Sequence, residues 1–317
     1  MGAYVSRRVL FMIPILFGIS LVAFGIVRLA PGDPAALVSD PLSASPQQIA
    51  AARHQLGLDQ PVPVQYVKTM GALVSGQLHS FRTGQPVFQM LGERLPTTLT
   101  LAVLTIVFGT LVGIGLGMAQ ALRPYSKLDD LGAGLSLFGF SIPQFWLALM
   151  LALLFSVKLR WLPSVGIQPP GSTGFSFIRA LPYVVMPVLV LSVGFVTGSA
   201  RYVRSSMIGV LKDDYIRTAH AKGLMRRQVI VRHALRNSLL PLVTFVALFI
   251  PILLGATAVV EEIFSLPGLG SLVLDSIFAR DYPVVITVNL LAGVVVLVCN
   301  LAADVIYGLV DPRIRLA

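Results

Sequence analysis

Nineteen consecutive residues, Val9 to Val27, carry no charged side chain, and five more long apolar runs follow at 98–122, 131–157, 182–200, 239–260 and 284–308. A helix rises about 1.5 Å per residue, so about 20 residues cross a hydrocarbon core roughly 30 Å thick. The whole chain agrees: 56% of its residues are hydrophobic, 12% are charged, and mean hydropathy is +0.83. A soluble domain carries about 25% charge. Inside lipid every backbone N–H and C=O needs an internal partner, so runs of this length are read as helices. The expectation is an all-α integral membrane protein with six transmembrane helices.

Charge placement orients it. "SRRVLF" at the N-terminus resembles a twin-arginine export signal, but the apolar run is longer than a signal core and "PGDP" follows where a cleavage site would stand. Residues 1–30 are therefore read as a retained helix. Six spans put both termini on one side. With the N-terminus inside, the inner segments 1–8, 123–130, 201–238 and 309–317 hold 2, 2, 9 and 2 Lys/Arg residues. Positive charge concentrates on cytoplasmic loops, so the topology is N-in/C-in, with 309–317 as a cytoplasmic tail. Lys158, Arg160 and Arg179 argue the other way and are outnumbered.

Segment 31–97 is then extracytoplasmic. Ser45 as N-cap, Pro46 at the first position, Gln48 completing a capping box and Gly57 as a stop predict one short helix. The segment is too small for a core of its own. Within the spans, Gly109, Gly113 and Gly117, and again Gly194 and Gly198, have the spacing that lets helix backbones approach closely. Pro143, Pro187, Pro241 and Pro251 predict bends.

Several chemistries lack their motifs. There is no G-x-x-x-x-G-K-[ST] loop for ATP, no H-E-x-x-H and no G-x-S-x-G. The four histidines divide between the two sides of the membrane, and Cys299 stands alone. No catalytic residue, bound cofactor or metal site is expected.

The densest positive charge is "DDYIRTAHAKGLMRRQVIVRHALRNSLLP" (213–241), with six Lys/Arg in 29 residues. Asp213 or Asp214 caps a first short helix, and Gly223 stops it. A second, near 226–237, has Ile230, Val231, Ala234 and Leu235 on one side and Arg226, Gln228, Arg232, His233, Arg236 and Asn237 on the other. Arg227 violates the apolar side and Val229 the polar one. A DNA-reading helix pair fails on context, since both ends are tethered to membrane spans. A contact with anionic lipid remains open. So does docking of a cytosolic protein, for which Thr218, Ala219, Ala221 and Gly223 leave room for close approach.

"YIRTAHAKGL…VRHALRNSLLP" resembles the cytoplasmic coupling (EAA) loop of ABC importer permeases, in the form found in the dipeptide/oligopeptide/nickel family. "RRVLFMIPILFGISLVAFGIVRLAPGDP", "LGLDQPVPVQY", "SFRTGQPV", "ERLPTTLTL", "SIPQFWLALML", "VVEEIFSLPGLG" and "DVIYGLVDPRIR" agree in order along essentially the whole chain. The first of that family's two permease subunits is the match. Against the general pattern E-A-A-x3-G, Arg217 stands where Glu is expected and Thr218 at the first Ala, while Ala219 and Gly223 match.

The resemblance implies a type I ABC importer transmembrane fold in the bacterial cytoplasmic membrane, with the core over 94–308 and the coupling loop over 201–238. It implies a second homologous permease subunit, two ATPase subunits that hold ATP and Mg, an extracytoplasmic substrate-binding protein, surrounding membrane lipid and no nucleic acid. Peptides are the implied cargo. Nickel, glutathione or oligosaccharide are alternatives within the class, and an ATPase-independent channel or carrier is the alternative outside it. Tyr215, Arg217, Thr218, Ala219, Ala221, Lys222, Gly223, Arg232 and Arg236 are then the expected ATPase contacts. Glu261, Glu262, Pro267 and Gly268 are a possible outer gate. Gly223→Arg or Ala219→Glu is expected to leave insertion intact and to uncouple ATP turnover from uptake.

Overall fold

The computed structural model describes residues 2–29, 32–35, 45–169, 171–172 and 176–310, and the side chains of 6–29 and 176–305 within its first and last stretches. The tail 309–317 lies almost wholly outside them. The helices are α1 (Gly2–Leu29), α2 (Pro46–Gln55), α3 (Val62–Val74), α4 (Val87–Leu122), α5 (Lys127–Ser141), α6 (Gln144–Leu151), α7 (Phe177–Val210), α8 (Asp214–Ala221), α9 (Leu240–Ile263), α10 (Leu269–Phe278) and α11 (Tyr282–Val310). π-helical turns occupy Ala152–Lys158 and Val229–Leu235.

Five helices are long and apolar enough to cross a membrane, over Ser6–Leu29, Val87–Leu122, Phe177–Val210, Leu240–Ile263 and Tyr282–Val305. A sixth crossing exists if α5 and the α6 segment form one span. The bend expected at Pro143 in the span over 131–157 is a full break at Ile142–Pro143, where the two halves turn by 98°. Proline lacks the N–H that would continue α5, and it restricts Ile142 to an extended conformation. Pro187 and Pro251 lie inside continuous helices. α4 and α7 are also longer than expected, at 36 and 34 residues. At about 1.5 Å per residue each exceeds a bilayer core of roughly 30 Å. Residues 201–210, expected within a loop, are thus the end of α7.

The chain divides into two compact units, Met1–Thr98 with Pro267–Val298, and Leu99–Leu266 with Cys299–Ala317. In the first, Ser45 Oγ accepts from Gln48 N at 3.3 Å and Gln48 Oε1 accepts from Ser45 N at 2.7 Å, the predicted capping box. Gly57 (φ +67°) ends α2. The described residues of segment 31–97 form no separate core. Leu78, Val87 and Leu91 pack with Leu269, Leu272, Val284 and Val288. A tight turn over 79–86 is held by Asp281, which accepts from Ser80 Oγ and, at 2.9 Å, from Phe81 N. α1 leaves Leu10, Ile13, Val22 and Ile26 exposed. Such a face is stable only against lipid or another helix. Beside it, Gly293 of α11 admits Ile19, whose Cδ1 lies 3.0 Å from where a Cβ would stand.

In the second unit α7 is central. Val184, Met186, Val190 and Leu191 are buried in it, packed with Leu101, Leu253, Val260 and Phe264, while buried Phe195 meets the rings of Phe245 and Phe249. α4 lies close along it. A Cβ on Gly109, Gly113 or Gly117 would stand 2.4 Å from Phe195 Cδ1, 2.4 Å from Ser199 Cβ and 2.5 Å from Ala200 O. The glycine repeat in α4 is therefore a packing seam. The one in α7 is not: Gly198 meets Phe245, while Gly194 has nothing within 4 Å.

Candidate functional site

The stretch 211–238 folds back onto the ends of α4 and α7 and makes a small apolar cluster. Ala121, Met207, Ile216, Ala219, Val229 and Ala234 are buried in it, with Met118, Leu122, Ile208 and Leu211 around them. α8 contributes Ile216 and Ala219, three residues apart and so on one face. Its opposite edge is open: Arg217, Thr218, Ala221, Lys222 and Gly223 are exposed.

Ala219, with 6% of its surface accessible, is a packing residue. Its small side chain serves contact within the chain, and Ala219→Glu would place a carboxylate in an apolar cluster. Among the expected ATPase contacts, the small residues offered outward are Thr218, Ala221 and Gly223. Gly223 (φ +76°) closes α8 with paired bonds, Gly223 N to His220 O at 2.9 Å and Leu224 N to Ala219 O at 3.4 Å. Nothing lies within 4 Å of the position of its missing Cβ. Asp213 occupies the N-cap without a side-chain cap bond. Arg217 Nη1 donates to Asp214 Oδ1 at 3.2 Å, and the Tyr215 hydroxyl accepts from Asn237 Nδ2 at 2.8 Å.

The second short helix departs from an α-helical wheel. Between Arg226–Gln228 and Arg236–Ser238 the chain takes a π turn over Val229–Leu235. Bonds from i to i+5 widen the turn, so Val229 and Ala234, five apart, share one face, and both are fully buried. Val229, which violates an α-helical polar face, thus belongs to the apolar face, and Val231 is exposed instead. Arg226, Arg227, Arg232 and Arg236 all reach solvent.

An ion pair absent from the sequence reading stands beside this cluster. Arg204 of α7 donates through Nε to Asp129 Oδ1 and through Nη2 to Asp129 Oδ2, both at 2.6 Å. Tyr125 N adds a bond to Asp129 Oδ2 at 2.9 Å. The Asp129 side chain is 5% exposed and that of Arg204 is 30%. The two-pronged geometry is specific to the guanidinium fork. A local signal for Asp129 is Ser126, three residues earlier, which caps α5 with its Oγ accepting from Asp129 N at 3.4 Å. Nothing in sequence pointed to Arg204 as the partner.

The residues expected at an outer gate fall on a helix end and the start of the next helix. Glu261 is buried and Glu262 exposed in the last turn of α9. The turn closes through Ser265 N to Glu262 O at 3.1 Å and Leu266 N to Glu261 O at 2.8 Å, with Ser265 at φ +48°. Pro267 is half-buried, and Gly268 caps α10, its N–H donating to Ser271 Oγ at 3.1 Å.

A cavity of about 740 Å³ opens between α4, α5, α6 and α7, lined by Phe108, Leu116, Leu131, Val193 and other apolar side chains, with Gln120 and Ser192 among the few polar ones. Among the described residues no group of His, Cys, Asp and Glu is arranged to hold a metal ion.

Residues 109–316 match the family described as binding-protein-dependent transport system inner membrane component, and residues 1–102 match its N-terminal membrane component. The oligopeptide transport system permease protein AppB of Bacillus subtilis is 42% identical over 318 residues, covering 99% of this chain and all of that one. The di/tripeptide transport system permease protein DppB of Pseudomonas aeruginosa is 38% identical over 335 residues, covering 99% of each. Among solved structures, the MetNI methionine ABC transporter in an inward-facing form has a chain that matches with a TM-score of 0.56 at 20% identity, over 72% of this chain and 99% of that one. An amino acid ABC transporter solved with histidines matches with a TM-score of 0.51 at 13% identity, over 69% and 93%. The helical architecture is that of ABC importer transmembrane subunits.

Proposed function

The chain belongs to the family of binding-protein-dependent transport system inner membrane components, and from that premise we propose that it is the permease subunit of an ATP-driven importer of di- and oligopeptides. It is a multi-pass inner-membrane transport subunit, not an enzyme. Two relatives that align over nearly its full length are named for oligopeptide and di/tripeptide transport, and they support peptide as the cargo.

The observation that carries the reading is the α8 edge. Thr218, Ala221 and Gly223 stand open to a partner, on a helix whose other face is packed against the ends of α4 and α7. A push on that edge moves two long helices and not a loop alone. The partners are two ATPase subunits holding ATP and Mg, a second homologous permease, surrounding lipid and an extracytoplasmic binding protein that delivers the peptide. ATP binding shifts the complex between outward- and inward-open states by its differential affinity for the two, which is how a ligand drives such an equilibrium. Glu261, Glu262, Pro267 and Gly268 serve at the outer mouth.

Affinity purification of the full chain from its own membranes tests this. An ATPase should co-purify, and the complex in proteoliposomes should take up peptide only with ATP and binding protein. Gly223→Arg or Ala221→Glu, both on the exposed edge, should leave insertion intact and reduce uptake roughly tenfold, within the range of site-to-site coupling. Uptake without any ATPase would show a channel or carrier instead.

A further inference from the structure

We propose that Asp129 and Arg204 are positioning residues that bind the turn at 123–126, the start of α5 and the inner end of α7 into one rigid body, so that α8 movement reaches the walls of the cavity. The inference rests on the importer reading above.

Three observations carry it. The pair is built rather than incidental: two bonds of 2.6 Å form a fork, a third comes from Tyr125 N, and the carboxylate is nearly inaccessible. Long side chains on a mobile surface do not hold such geometry. Next, the pair lies between the cluster under α8 and the cavity, both in the same unit. Arg204 is one turn from Met207 and Ile208, which pack in the cluster under α8. On the other side Leu128, Leu131 and Gly132, which flank Asp129, line the 740 Å³ cavity, as do Ala200 and Gln120. Finally, α5 packs along α7, where a Cβ on Gly139 would stand 2.9 Å from Val193 Cγ1, so a shift of α7 is felt along α5. α5 leaves Leu131, Leu135 and Phe138 exposed and ends at the 98° break. At the start of α5 the fork is the charged link to α7, beside Gln120 Nε2, which donates to Asp129 O at 3.5 Å.

Tilting of α7 therefore carries α5, and with it one wall of the cavity. Charge alone is insufficient, because a lysine offers a single rotatable ammonium in place of two fixed, parallel donors.

The test uses the purified complex in proteoliposomes and reads peptide taken up per ATP hydrolysed. Asp129→Asn and Arg204→Lys should each lower that ratio roughly five- to tenfold, the size of a typical coupling between sites. A purely structural role would lower uptake and hydrolysis together and leave the ratio unchanged, which would overturn the proposal, as would wild-type ratios in both variants. A second arm replaces both residues with cysteine in a Cys299→Ser chain and joins them with a short bis-methanethiosulfonate, each thiolate displacing one methanesulfinate to form a disulfide. A rigid link predicts that the joined complex recovers the ratio. If joining stops transport, the two elements must separate during the cycle and the proposal fails. Should the single variants not assemble, the joined pair decides alone. Loss of ATP-dependent uptake by the wild type would instead sink the importer reading itself.

Discussion

Several described helix ends share one pair of closing bonds, with different residues at the turning point. α8 turns at Gly223 (φ +76°) and α9 at Ser265 (φ +48°). A side chain in this left-handed region costs roughly 1–2 kcal/mol, which glycine avoids. Because Gly223 has no neighbour within 4 Å of a Cβ, Gly223→Ala tests backbone conformation alone. It should destabilise by about 1 kcal/mol. Ser265→Gly should stabilise by up to about 1 kcal/mol. Thermal melts of the purified protein would show opposite shifts. The Gly223 stop was legible in sequence because the residue type announces it. Ser265 was not, since a serine gives no sign of a left-handed turn.

At the level of elements, the seam between α4 and α7 depends on what each glycine faces. Gly109 faces the side chain of Phe195, whereas Gly117 faces the Ala200 carbonyl, fixed in the α7 backbone. Gly117→Ala should therefore cost more than Gly109→Ala, on the order of 1–3 kcal/mol for overpacking that the backbone must absorb. Comparing the melting temperatures of the two variants checks the order, and equal losses would mean that α4 shifts as a whole. The spacing of 109, 113 and 117 revealed the seam, but the same spacing at 194 and 198 did not make one. Periodicity names a face and says nothing of what stands opposite. The π turn at 229–235 has the same lesson, because one extra residue in a turn moved Val229 from the polar face to the core.

For the whole molecule, α1 and α5 leave apolar faces exposed that are stable only against lipid or another apolar surface. Orientation follows from the charge of the inner segments, and single cysteines in a Cys299→Ser chain test it. Lys222→Cys should react with a membrane-impermeant maleimide only in inverted vesicles, and His79→Cys only in right-side-out ones. Reaction of both from the same side would refute the N-in/C-in arrangement.

By itself the sequence determined the class, five of the six expected crossings, the capped helix at 46–55 and the resemblance that led to the family. Partition into lipid, capping and turn chemistry act over a few neighbouring residues, so a linear string contains them. The tertiary structure alone decided that Ala219 faces inward, that Asp129 meets Arg204 across 75 residues and that Asp281 holds Phe81 across 200. Those outcomes depend on which distant helices come to lie side by side, and that depends on packing that no local pattern encodes.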